Sequence, residues 1–133
     1  MILIFIKKYY IALNYSTYKL IFRSVMLEIL LGSVNKERVL LYLVARKSGY
    51  SREIARFYET DLTPIQSQLR NLENANILAS QTVGKTRVYS LNPRYPFNKE
   101  LTNLLEKVIY FLPDDEKQKL LVFRARPRRA GKE

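Results

Sequence analysis

The chain contains no cysteine. That excludes a disulfide framework and a thiolate metal site, and it fits a reducing compartment such as the cytoplasm. Histidine is absent as well. Without His or Cys, the common zinc ligand sets, thiol catalysis and Ser-His triads are out of reach. No run of about 18 consecutive apolar residues occurs, so no transmembrane helix is expected. The apolar opening "MILIFIKKYYIAL" is broken early by Lys7 and Lys8. Its charges follow the apolar run and no small-residue cleavage pattern comes after, so it does not read as a signal peptide.

Acidic residues are also few. There are 12 against 23 basic ones, a net charge of +11. Such a balance favours polyanionic partners, either nucleic acid or an anionic membrane surface. Residues 1–25 hold no acid and four bases. Fifteen of those 25 are Phe, Tyr, Ile, Asn or Lys, against thirty of the 108 residues from Met26 onward. These residues have AT-rich codons, so 1–25 reads as an N-terminal extension translated from AT-rich DNA. Met26, which begins "MLEILLGS", is then the expected native start. The competing reading is a genuine extra helix or strand that packs on the domain.

A length of 133 residues fits one domain with appendages, and an apolar fraction of 47% is enough for a core. The first helix is expected to be capped by Ser33 or Asn35 and to run to about Lys47, with Val39, Leu40 and Leu43 as its buried stripe. "KSGY" breaks the pattern, and Gly49 suits a C-terminal cap. Ser51 can cap a short second helix, "REIARFYE", with Ile54, Ala55 and Tyr58 on one face beside Phe57. After the turn "TDL", Thr63 suits the N-cap of a third helix, with Pro64 first inside it and Gln66 at the reciprocal capping-box position. Ile65, Leu69 and Leu72 line one face of that helix, and Ile77 continues the apolar set. At 100° per residue the opposite directions belong to Thr63, Ser67, Arg70, Asn71 and Asn74, with Gln66 and Gln68 flanking.

After Asn76 the period becomes alternating. "ILASQTV" and "TRVYSL" read as two strands about Gly84-Lys85, a pair suited to a type II′ hairpin turn. Helix, helix, turn, helix, hairpin is the order of a winged helix-turn-helix. The expected fold is therefore mainly α with a small β-hairpin wing over residues 26–92, followed by C-terminal amphipathic helices at 93–123. "NPRYPF" is a rigid connector into "NKELTNLLEKVIYFL". Its stripe of Leu101, Leu104, Leu105, Val108, Ile109 and Leu112 can pack on its own domain, pair with a second chain, or do both. "DDEKQKLLVF" forms a last short helix. The tail 124–133 carries five bases and one acid and is expected to be disordered.

The stretch "SREIARFYETDLTPIQSQLRNLENANILASQTVGKTRVYSL" resembles winged-helix transcriptional regulators of the ArsR/MarR type. The shared features are an "xxIA" second helix, a Ser/Thr-opened third helix ending "LxxLExxGIL", and a Gly-tipped wing ending "YxL". Asn76 replaces the usual Gly, a mild departure because Asn also tolerates a left-handed helix end. The resemblance implies DNA binding and dimerisation. It does not imply metal sensing, because the metal-sensing members use Cys, His and carboxylate clusters. "NPRYPFNKELTNLLEKV" is similar, less specifically, to a linker helix in small prokaryotic winged-helix proteins, some associated with minimal nucleotidyltransferase domains. The "RPRR" ending likewise resembles stand-alone members of that group.

Double-stranded DNA is the partner this reading favours, bound by a homodimer. The third helix would enter the major groove, where Arg pairs with guanine and Gln with adenine. Its candidate base contacts are Gln66, Ser67, Arg70, Asn71 and Asn74. A merely solvated face would ordinarily carry Glu and Lys, and this one has neither between Thr63 and Leu72. Backbone or minor-groove contacts fall to Tyr50, Ser51, Arg52, Thr63, Lys85 and Arg87, with Arg56 a weaker candidate. The tail bases Arg124, Arg126, Arg128, Arg129 and Lys132 would add nonspecific affinity by counterion release. "GKT" lacks the earlier Gly and the strand-to-helix setting of a phosphate loop. Asp114, Asp115 and Glu116 diverge around a helix start and suit its positive end better than a metal ion. No catalytic constellation, metal site or cofactor is indicated. The competing function is a protein-interaction module serving a separately encoded nucleotidyltransferase-like or toxin-like partner.

Overall fold

Ser33 caps the first long helix, its Oγ accepting from the Lys36 N–H at 3.3 Å. The structure is a computed structural model and describes residues 27–122. The extension expected at 1–25, the Met26 start and the tail at 124–133 lie outside the described residues. The elements are α1 (Glu28–Leu31), α2 (Val34–Arg46), α3 (Ser51–Phe57), α4 (Leu62–Asn74), β1 (Leu78–Val83), β2 (Thr86–Leu91), α5 (Asn98–Phe111) and α6 (Asp114–Leu121). Three helices followed by an antiparallel hairpin make a winged helix-turn-helix, and two amphipathic helices complete it. The short α1, for which the sequence gives no signal, ends at Gly32 with φ 79°.

The central helix is α2. Val39, Leu40 and Leu43 are buried as their spacing requires, but Leu41, Tyr42 and Val44 are buried too. A single stripe was too narrow an expectation. α2 packs against α4, α5, α6 and β2 together, so it has almost no solvent face in its middle. α3 lies on α4, and α4 reaches β1. Ile65, Leu69 and Leu72 of α4 are buried.

Two helix starts differ by a residue or two from expectation. α4 begins at Leu62, with Asp61 as an extended N-cap that makes no side-chain capping bond. Thr63 is therefore inside the first turn, and the expected capping box does not form there. Leu62 packs against the core, which draws the helix start forward. Pro64 remains tolerable because first-turn N–H groups have no intrahelical acceptor. Similarly, Ser51 is the first residue of α3 and Tyr50 its extended N-cap.

The cause lies at Gly49. Its N–H donates to the Tyr89 carbonyl at 3.0 Å and its carbonyl accepts from the Tyr89 N–H at 2.8 Å. That pairing holds the chain extended up to α3. The residue in the left-handed region after α2 is Lys47, φ 71°, and not Gly49. Gly49 is needed for closeness: a Cβ there would lie 2.7 Å from Tyr42 Cε1. Tyr42 in turn donates to Glu53 Oε1 at 2.6 Å. Burial first, then Glu53, pushes the phenol far above its ordinary range, so it stays a donor.

The hairpin pairs Leu78 with Leu91 and Val83 with Thr86, leaving Gly84-Lys85 as the loop. Gly84 has φ 63° and Lys85 is not in the positive-φ region. Of the two-residue hairpin turns this fits type II′, since type I′ needs positive φ at both positions. Asn76 takes φ 62°, the left-handed role expected of it. Asn92 then fixes the connector, its side chain bonding Asn76 O and the Arg94 N–H at 3.0 Å each.

α5 packs on α2 through Leu105, Val108 and Ile109, and Leu112 is buried just beyond. These four are core residues of the same chain, so they offer no surface to a partner. Leu101 is partly buried, and Leu104 is 39% exposed. α6 is held by Arg46, which donates to the carbonyls of Lys119 at 2.9 Å and Leu120 at 3.3 Å. The Arg46 guanidinium also lies 5.1 Å and 5.0 Å from the ring centroids of Tyr42 and Phe57. Asp114, Asp115 and Glu116 occupy the first turn of α6.

Leu105→Ala should lower unfolding stability by about 2–5 kcal/mol, because it empties a fully buried site. Gly49→Ala should cost about 1–3 kcal/mol by overpacking against Tyr42. Urea unfolding followed by circular dichroism checks both.

Candidate nucleic-acid interface

The polar face of α4 is divided by what stands beside it. Gln66, Arg70 and Glu73 follow one another by four and three residues and so share one row of the helix. That row borders the hairpin. Ser67, Asn71 and Asn74 form the next row, about 100° further around.

Between the start of α3, the Gln66 row and the wing lies one open groove. Tyr50, Ser51 and Arg52 enter it from α3, and Gln66 and Arg70 from α4. Lys85, Thr86 and Arg87 line it from the wing. Seven of the expected contact residues are thus brought together. Arg56 and Tyr89 complete the lining. Arg56 was the weaker sequence candidate, and its spacing from Arg52, one helical turn, is the signal that joins it to the groove.

The other candidates sit elsewhere. Asn71 lines a separate, mostly apolar depression together with Leu30, Leu72, Leu101 and Leu104. It faces the α1–α5 side and is not aligned with Gln66 and Arg70. Thr63 and Asn74 are exposed and Ser67 is half-buried, and none of the three lines the groove.

Electrostatics follow from the lining. Arg52, Arg56, Arg70, Lys85 and Arg87 are all cationic, and among the described residues no carboxylate lines the groove with them. Of these, Arg87 is held in an ion pair. Its Nη2 lies 3.2 Å from Glu73 Oε1, and its Nε donates to Ser80 Oγ at 2.9 Å. Ser80 Oγ is itself hydrogen-bonded to Glu73 Oε2. The wing tip, with Lys85, is exposed. Tyr89 is 6% exposed, and desolvation raises its phenol pKa. Arg87 and Arg70 oppose that shift and Glu73 adds to it. The result is a neutral O–H among guanidinium groups.

No signal in the sequence joins Glu73 to the wing, because its partners lie 7 and 14 residues away on two different strands. Among the described residues, no group of three or more acidic side chains is placed to hold a metal ion. Among them, too, no helix is long and apolar enough to cross a membrane.

No protein-family model matches the sequence, and no curated protein matches it. Among solved structures the chain is similar to Lactococcus lactis ZitR, in the apo form of a mutant. The identity is 15%, over 80% of this chain and 89% of that one, with a TM-score of 0.46. The winged-helix assignment rests on this chain's own element order and hairpin.

Arg52→Ala and Arg70→Ala should each leave folding stability within about 0.5 kcal/mol of the parent, because both side chains are exposed. Chemical denaturation of the purified variants measures this, and it separates later binding losses from unfolding.

Proposed function

We propose that the protein is a sequence-specific regulator of transcription that binds double-stranded DNA as a homodimer. The observation that carries this reading is the groove in which Arg52, Arg56, Arg70 and Lys85, from α3, α4 and the wing, converge with no carboxylate among its described lining residues. A net charge of +11 supports it. Phosphate neutralisation by such groups supplies salt-dependent affinity, and it positions the protein without reading sequence.

In this reading α4 enters the major groove. Arg70 can take the two acceptors of a guanine edge, and Gln66 the donor and acceptor of an adenine. Ser67, Thr63 and Asn74, on the outward side of α4, reach neighbouring positions. Asn71 faces the α1–α5 side and is the weakest of the proposed base contacts. Arg52 and Arg56, with Tyr50 and Ser51, hold one stretch of backbone, and Lys85 at the wing tip holds another. Pairing of chains would use the surface of α1 and α5, where Phe97 is 62% and Leu104 39% exposed beside the apolar depression. A two-fold pair of chains then reads a palindromic site.

The same depression supports a second reading, in which it seats a separately encoded nucleotidyltransferase-like or toxin-like protein. Co-purification from the native host, lost in Leu104→Asp, would favour that reading.

An unbiased selection of bound DNA should yield a palindromic motif, and absence of any binding at about 50 mM salt would overturn the proposal. On the selected site, Arg70→Ala should cost about 1–3 kcal/mol and relax one base position in each half-site. Lys85→Ala should weaken all sequences alike and reduce the salt slope by about one. Leu104→Asp should shift the protein from dimer to monomer in sedimentation without changing its helix content.

A further inference from the structure

We propose that Glu73 is a positioning residue that fixes the wing on the reading helix, and that Arg87 serves this strut and not the DNA. The proposal rests on the DNA-binding reading for its consequence but on the free protein for its geometry.

The wing has little else to orient it. In β1 only Leu78 is buried, and in β2 only Tyr89, both at the base of the hairpin. From Gln81 to Arg87 every residue is exposed, including Val83 at 55%. Apolar packing therefore does not hold the outer half of the hairpin in a fixed direction.

A polar network does. Ser80 is opposite Tyr89, and Arg87 is opposite Thr82, so Ser80 and Arg87 are diagonal neighbours on one face of the hairpin. Glu73, one row-mate along from Arg70, meets both. The proton count closes: Arg87 donates from Nε to Ser80 Oγ, and the Ser80 hydroxyl donates to Glu73. Arg87 Nη2 completes the triangle on the Glu73 carboxylate. Three elements, α4, β1 and β2, are thus joined by charge-assisted bonds, which are stronger and more directional than neutral ones. Chains of this kind reinforce one another.

Arg87 is correspondingly poor as a phosphate ligand. Its charge lies against a carboxylate, and its Nε and Nη2 donors are used within the protein. Lys85, two residues away at the tip, has no such partner among the described residues and is the better phosphate contact.

The sign of one measurement separates this from simple charge bookkeeping. Removing an acid beside a polyanion should strengthen binding if Glu73 only repels DNA. On the proposal Glu73→Ala weakens binding to the selected site, by about three- to thirtyfold, while its denaturation midpoint stays near the parent's. Glu73→Gln, which keeps a bond to Ser80 but drops the charge, should fall between the two. Arg87→Ala should weaken specific binding yet leave the salt slope unchanged, whereas a phosphate ligand would lower it by about one. Unchanged or tighter binding of Glu73→Ala, or a reduced slope in Arg87→Ala, overturns the proposal. Amide hydrogen exchange of the free protein gives a readout that needs no DNA. Faster exchange across 78–91 in Glu73→Ala supports the strut even if the parent binds no DNA, and parental exchange rates there overturn it.

Discussion

Two backbone hydrogen bonds between Gly49 and Tyr89 set the geometry on which the proposed interface depends. They form an isolated antiparallel bridge to β2, placed just before α3. The next residue, Tyr50, is the N-cap of α3, so the start of that helix and the base of the wing cannot move independently. The closeness needed for it is possible because Gly49 has no side chain to meet Tyr42. Tyr42, buried and bonded to Glu53, then ties α2 to the body of α3. A groove between α3, α4 and the wing exists because these contacts hold its walls at a fixed separation.

Arginine is used in three ways in this fold. Arg46 is a helix-end and aromatic-stacking residue that secures α6 to α2 and α3. Its planar group does both jobs at once, which lysine could not. Arg87 is engaged between a strand serine and a helix carboxylate. Arg52, Arg56 and Arg70 face the open groove. The strong basic excess of the composition therefore overstates the charge available to a partner, and position decides which cations count.

Much of this was legible from residue order. Ile65, Leu69 and Leu72 show a helical period, and the hairpin announces itself through alternation about Gly84-Lys85. Asn76 takes the left-handed helix end that its place in "LENANIL" implies. Other features depend on contacts distant in sequence. The run from Val39 to Val44 has no period because α2 is covered on several sides, so a single-stripe reading undercounts its burial. The starts of α3 and α4 are set by the Gly49–Tyr89 pairing and by the packing of Leu62, not by the hydroxyls of Ser51 and Thr63. Helical spacing gathered Gln66, Arg70 and Asn71 on one polar face. Only the position of the wing shows that the first two border the groove and Asn71 does not. The inner residues of the α5 stripe illustrate a general ambiguity: a wide apolar face has the same pattern whether it meets its own chain or another.

The burial of α2 has a mechanical consequence. One unbroken helix touches α4, α5 and α6, with no glycine or proline inside it. The portion that would read a ligand and the portion that would join a second chain therefore rest on a single stiff rod. In a pair of such chains, the distance between the two α4 helices would be governed by how the chains tilt against each other, since bending within either would require α2 to break.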